Sequence, residues 1–232
     1  MIENSEMLTL NDKFKFLCHK NIECFNKCCY DLNLFLTPYD VIRLKNRLKL
    51  TSTEFLKKYT TWHIGFNTGL PVVVLKMRDD LTCPFVSDDG CLIYKDRPSS
   101  CRLYPLARIK LKDGEYYYIV KEDHCKGFDE DKEWTVREWL EDQEVNEYNK
   151  MNDLFMGLIS SKYKSNKKLD DKEIQLFYMA CFDVDRFRGF VAENNLLNTF
   201  NVDIKDDIEL MKFGINWLRF TIFREDMLKL KE

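Results

Sequence analysis

Eight of the nine cysteines lie between Cys18 and Cys125; Cys28 and Cys29 are adjacent, and Cys181 stands apart. At 232 residues the chain can bury a core without covalent staples. Thiols gathered this densely constrain the front half to converge on a soft metal, a redox centre or a set of disulfides. The first residues, MIENSEMLTLNDKFKF, show no basic region leading into an apolar stretch, and no apolar run reaches the length of a membrane span. A reducing, cytoplasmic setting is therefore expected. There the odd cysteine count argues against a disulfide framework.

The chain is 45% hydrophobic and 32% charged, an ordinary globular balance. A net charge of −3 gives no pull toward nucleic acid or an anionic membrane, so neither is expected as a partner.

Local signals divide the chain. It reads as irregular through Tyr30. Thr37 as N-cap, Pro38 at the first helical position and Asp40 near the positive end open a helix. Its apolar face is Val41, Ile42, Leu44, Leu48 and Leu50, and Arg43, Lys45, Arg47 and Lys49 are expected on a solvated face. Thr51 and Glu54 form a capping box for a second helix. The run from Pro71 to Met77 reads as a strand. Residues 83–101 are turn-rich. Leu106–Leu111 and Glu115–Val120 flank Lys112-Asp113-Gly114, a hairpin signal in which Asp-Gly would supply positive φ. Thr135 with Glu138 opens one long helix to Ser161, Asp170 with Glu173 opens another through Val191, and a third is expected over residues 208–229. The expected fold is α+β and mainly helical. A cysteine-rich loop and β-hairpin front, residues 1–130, packs as one unit with a helical extension, residues 131–232.

The cysteines run Cys18-x5-Cys24-x3-Cys28-Cys29, then Cys83-x7-Cys91-x9-Cys101, then Cys125. Zinc and iron–sulfur centres each take four such ligands. Eight thiols suffice for two four-cysteine centres, or for one centre with spare thiols packed nearby. No C-x2-C knuckle occurs, which weakens zinc, and the bacterial ferredoxin run is missing. A radical-SAM loop fails as well: Cys24 and Cys28 match its first two positions, but Asp31 stands at the third. No G-x-G occurs, so no dinucleotide or phosphate loop is present. The Cys28 and Cys29 side chains should diverge, which suits two centres. His19 and His124 flank cysteines but are expected, like His63, at the surface or hydrogen-bonded near a sulfur. Arg97, Arg102 and Lys27 would either offset a cluster's negative charge or lie exposed. Pro98 holds Arg97 extended and would present Cys101 from a defined turn. Cys181, on an amphipathic helix, is expected only to pack.

The segments CFNKCC, FLTPYD, CPFVSDDGCLIYKDRPSSCRLYPL and HCKGF resemble the YkgJ-like cysteine-cluster family of zinc- or iron-chelating proteins over residues 18–128. The stretch WTVREWLEDQ is similar to an extension in one branch of that family. The resemblance implies a metal-binding cysteine cluster, of iron–sulfur type. Its ligands would be Cys24, Cys28, Cys29, Cys83, Cys91, Cys101 and Cys125, with Cys18 as an eighth. The front spacing is wider than the C-x2-C-x2-C-C of many members and resembles flagellin lysine N-methylases, distant relatives.

Three readings follow. The first is a cytoplasmic iron–sulfur protein with one or two [4Fe-4S] clusters, two being favoured, that exchanges electrons with a redox partner protein. The second is a cluster-dependent protein-modifying enzyme of lysine-methylase type, for which no SAM site is visible. The third is a zinc-stabilised interaction module.

Overall fold

The computed structural model describes residues 7–229. In chain order its strands are β1 (Lys13–Lys15), β2 (Phe35–Leu36), β3 (Thr60–Ile64), β4 (Pro71–Leu75), β5 (Val86–Ser87), β6 (Gly90–Cys91), β7 (Leu106–Lys110), β8 (Glu115–Ile119) and β9 (Glu133–Thr135). The helices are α1 (Pro38–Leu48), α2 (Ser52–Tyr59), α3 (Ser99–Leu103), α4 (Val136–Asp142), α5 (Asn146–Ser165), α6 (Asp171–Phe182), α7 (Val184–Glu193), α8 (Leu196–Thr199) and α9 (Asp207–Thr221). The protein is a mainly helical α+β fold with small antiparallel sheets, as its sequence implies. None of the described helices is long and apolar enough to cross a membrane.

Two compact units are interleaved along the chain. The first comprises residues 1–32 and 77–148, the second residues 33–76 and 149–232. Residues 33–76, assigned from sequence to the front, cluster with the second unit, and residues 131–148 with the first.

The first unit is held by three two-stranded ladders, β1–β9, β5–β6 and β7–β8. Leu8 and Tyr117 exchange backbone hydrogen bonds at 2.8 and 2.9 Å, adding the N-terminal segment to the β7–β8 hairpin. Phe14, Phe16, Leu106, Tyr117, Val136, Trp139 and Leu140 form its core. Trp139 takes the edges of Phe14, Phe16 and Trp134 at centroid distances of 6.0, 5.5 and 5.4 Å. Such edge-to-face contacts add to the stabilisation from apolar burial.

The β7–β8 hairpin forms where Asp113-Gly114 signals it, but neither residue has positive φ. The loop is four residues long and closes with Leu111 N–H donating to Gly114 O at 2.8 Å, which removes the need for a left-handed turn. A positive-φ glycine does occur in the other Asp-Gly pair. Gly90 has φ 108° at the start of β6, and a Cβ there would stand 3.1 Å from Phe25 Cζ.

The single helix expected from Thr135 to Ser161 is two. Glu144 turns left-handed at φ 52° between α4 and α5. Arg102 Nη1 donates to the Gln143 carbonyl at 2.5 Å, and Arg97 Nη2 donates to the Gln143 side-chain oxygen. One guanidinium thus receives the backbone carbonyl at the negative end of α4 and the other holds the same residue's side chain, which favours stopping there.

The second unit contains α1, α2, α6, α7, α8, α9 and the sheet β2-β4-β3. All four sequence-predicted N-terminal signals are formed as capping boxes, at Thr37/Asp40, Thr51/Glu54 and Asp170/Glu173 here and at Thr135/Glu138 in the first unit. The helix expected to run through Val191 breaks at Asp183 (φ −103°, ψ 67°). Its carboxylate accepts from Ser52 Oγ at 2.6 Å and Thr53 Oγ1 at 2.8 Å, tying the α6–α7 corner to the start of α2. The last helix ends at Thr221, short of residue 229. Lys45 is not solvated: it is buried, with Nζ 2.8 Å from Asp207 and 3.2 Å from Asp185.

Candidate metal centre

All eight front cysteines belong to the first unit, and all nine cysteines are free thiols. Cys181 is 2% exposed in the second unit, on α6. Burial alone pushes its thiol well above the ordinary range, so it is an inert packing residue.

The front loop is built by turns. Asn26 in the left-handed region (φ 67°) starts a 3-10 turn over Lys27–Cys29, and Tyr30 returns the chain to extended backbone. Asn26 Nδ2 donates to Ser87 O at 2.8 Å, and Lys20 pairs with Asp89 at 2.8 Å, so the loop is fastened to the β5–β6 hairpin. Residues 29–31 then run antiparallel to 81–83. Cys83 N–H donates to Cys29 O at 2.8 Å, and Asp31 N–H donates to Leu81 O at 2.8 Å. Cys91 pairs with Val86 across β5–β6. Cys101 lies on α3, whose N-cap is Pro98; Arg97 before it is extended at φ −59°, ψ 149°. That is the presentation expected of the Arg97-Pro98 pair. Cys125 follows the hairpin and is packed against the first unit's core.

The sulfurs influence one another. Cys18 is raised to about 11, first by burial and then by the charges of Cys28, Cys24 and Cys125. Although Cys18 is an exposed residue by area, the protein around its sulfur still withdraws solvent from the thiolate form. Cys29 is pushed up by its hydrogen bond to Cys28, then by burial and by the charges of Cys28, Cys83 and Cys101. The same hydrogen bond lowers Cys28 to about 7. The adjacent pair, expected to diverge, lies on one 3-10 turn, where each thiol shifts the ionisation of the other.

Backbone amides already point at several sulfurs. Lys126 N–H donates to Cys24 Sγ at 3.1 Å. Burial raises Cys83 and Cys91, but amides of Phe85 and Val86 oppose it at Cys83, and the amide of Ile93 and the charge of Arg97 oppose it at Cys91. Such donors stabilise thiolate, the form that binds metal. Among the described residues, no three His, Cys, Asp or Glu side chains are already grouped as a site for a metal ion.

The remaining candidates separate by burial. Arg97 and Arg102 are 7% and 2% exposed, whereas Lys27 is exposed. Arg97 also lies 3.8 Å from the centroid of the Tyr94 ring, and Arg102 stands over Tyr148 at 4.7 Å. His19 accepts from Asn21 N–H at 3.2 Å and faces Glu130 at 3.5 Å. His124 and His63 are exposed.

A family described as "CxxCxxCC: Putative zinc- or iron-chelating domain" matches residues 17–139. The chain belongs to this family. No curated protein and no solved structure matches it. The chelating domain takes in every cysteine of the first unit and runs through Trp139 in α4, although the front spacing is wider than the C-x2-C-x2-C-C of its name. In donor chemistry the set fits the metals of the family name: eight undisulfided thiols in one unit, with the Lys126 amide already donating to Cys24.

Three contributors to the chelating domain escape a cysteine-centred reading. Arg78 donates from Nη2 to Pro84 O at 2.9 Å and to Val86 O at 3.3 Å, clamping the Cys83 loop. The Lys126 amide is invisible in side-chain chemistry. Tyr104 lies three residues beyond Cys101 with a buried hydroxyl oxygen. The one available signal was its place within the cysteine block.

Proposed function

We propose that the first unit is an iron–sulfur protein module with two [4Fe-4S] clusters that passes electrons to or from a redox partner protein. The carrying observation is the gathering of eight free thiols from three stretches of chain into one unit. The mutual charge effects suggest their division. Cys18 responds to Cys28, Cys24 and Cys125; Cys29 responds first to its neighbour Cys28 and then to Cys83 and Cys101, and Cys83 to Cys91. One centre would take Cys18, Cys24, Cys28 and Cys125, the other Cys29, Cys83, Cys91 and Cys101. Cys28, which acts most strongly on Cys29 and also on Cys91, stands at the joint. The missing C-x2-C knuckle favours iron–sulfur over structural zinc. Inorganic cluster atoms would supply the electron-accepting chemistry. The chain's own residues hold thiolates, donate amide hydrogen bonds to them and screen them from water.

The test is anaerobic purification with iron, sulfide and zinc quantified together. Brown protein with about eight irons and matching sulfide per chain supports two clusters. A ceiling of about four irons would leave one cluster and make the other thiols structural. Colourless protein holding only zinc would falsify the iron–sulfur reading.

A further inference from the structure

Tyr104 closes α3 and leads directly into β7, its N–H donating to Ser100 O at 3.1 Å. Phe16 meets its ring edge-on at a centroid distance of 5.8 Å. Tyr104 and Cys125 pack against the same core cluster of the first unit. The buried Tyr104 hydroxyl oxygen makes no hydrogen bond of normal geometry, and the polar groups beside it are the Cys125 thiol and the Glu122 amide. A buried hydroxyl without a partner costs free energy, and native proteins rarely leave one so. A neutral thiol is a weak acceptor, whereas a thiolate accepts a charge-assisted hydrogen bond.

We propose that the Tyr104 hydroxyl donates to the Cys125 sulfur when that sulfur is a metal-bound thiolate, making Tyr104 a positioning residue that tunes the centre. This rests on the cluster reading above. Cys24, Cys83 and Cys91 receive their donors from backbone amides. Tyr104 supplies the counterpart at Cys125 from a side chain, so the contribution can be removed without altering the backbone. Donation withdraws electron density from the sulfur, stabilises the reduced cluster and raises its reduction potential. It also holds Cys125 in one orientation, which slows loss of the centre.

The test uses the full chain, loaded anaerobically, as wild type, as Tyr104→Phe, and with fluorotyrosine incorporated at position 104. Fluorination makes the phenol a stronger donor. Iron and sulfide should be the same in all three. The midpoint potential should fall in Tyr104→Phe and rise with fluorotyrosine, and chelator-induced iron loss should be several-fold faster in Tyr104→Phe. A ring that only packs would not move the potential in opposite directions. Equal potentials with intact clusters would overturn the inference and leave the cluster reading standing. Wild-type protein without iron and sulfide would overturn the cluster reading itself, a distinct result. If Tyr104→Phe does not fold, the fluorotyrosine form decides alone: an unshifted potential rejects the donor role.

Discussion

The Cys83 amide donates to the Cys29 carbonyl at 2.8 Å, so two cysteines far apart in sequence are set side by side by a backbone hydrogen bond. The Tyr30–Thr82 bridge continues the same pairing. Arg78 holds the far side of the loop by its contacts with Pro84 and Val86.

Arg78→Ala should therefore loosen the Cys83 loop with little effect on global stability, because the side chain is exposed. The expected readout is faster metal release to a chelator, with a melting midpoint close to wild type. A large fall in melting temperature with unchanged release would show a global role instead.

Cys101→Ser should lower bound metal, whereas Cys181→Ala should leave metal content unchanged. Removing one buried atom at Cys181 should cost about 1 kcal/mol in denaturant unfolding. Metal analysis of both variants checks the contrast. Loss of metal from the Cys181 variant would bring the second unit into the chemistry.

Gly127 sits two residues after Cys125, where an added Cβ would lie 2.5 Å from Phe16 Cε2 and 3.0 Å from Leu17 O. Gly127→Ala must displace an aromatic ring that is 2% exposed. Overpacking of this kind costs about 1–3 kcal/mol. Because Phe16 also backs Tyr104, the variant should show both a lower urea midpoint and poorer metal retention. Wild-type values for both would mean the ring has room to move.

Asp185 supplies a pH prediction. Burial pushes its carboxyl up, but the Ser52 amide, the Lys45 charge and hydrogen bond, and the Ser52 hydroxyl outweigh this and hold it below the ordinary 3.8. A depressed folded-state value means the unfolded chain binds the proton more readily. The stabilisation is complete above the unfolded value and disappears as pH falls through the folded one. Urea unfolding of the wild type should weaken below about pH 4, and Asp185→Asn should show a shallower loss over that interval. Parallel curves would exclude Asp185 as a contributor.

Much of the fold was legible because capping chemistry is local. Each of the four N-terminal signals is formed by a Thr or Asp and an acidic residue three positions later. Helix ends set by distant partners were not legible. Gln143 terminates α4 because Arg97 and Arg102 reach it across more than forty residues, and Asp183 breaks a helical run because Ser52 and Thr53 engage it. Lys45 likewise reads as one of several basic residues until Asp185 and Asp207 surround it. At the candidate centre, cysteine clustering was plain from spacing alone. The mutual influence of Cys28 and Cys29, the Arg78 clamp and the Tyr104 hydroxyl depend on backbone turns and tertiary packing that spacing does not encode.

The interleaving of the first unit has a consequence for its biosynthesis. Residues 33–76, which belong to the second unit, separate Cys29 from the next cysteine of the first. At ordinary synthesis rates Cys125 leaves the ribosome about 5–20 s after Cys29. For that interval Cys18, Cys24 and Cys28 wait without the Cys125 that would complete their set, open to oxidation or to capture of a stray ion. Delivery of the right metal is therefore a matter of timing as well as affinity, completed only after the hairpin that precedes Cys125 has been made.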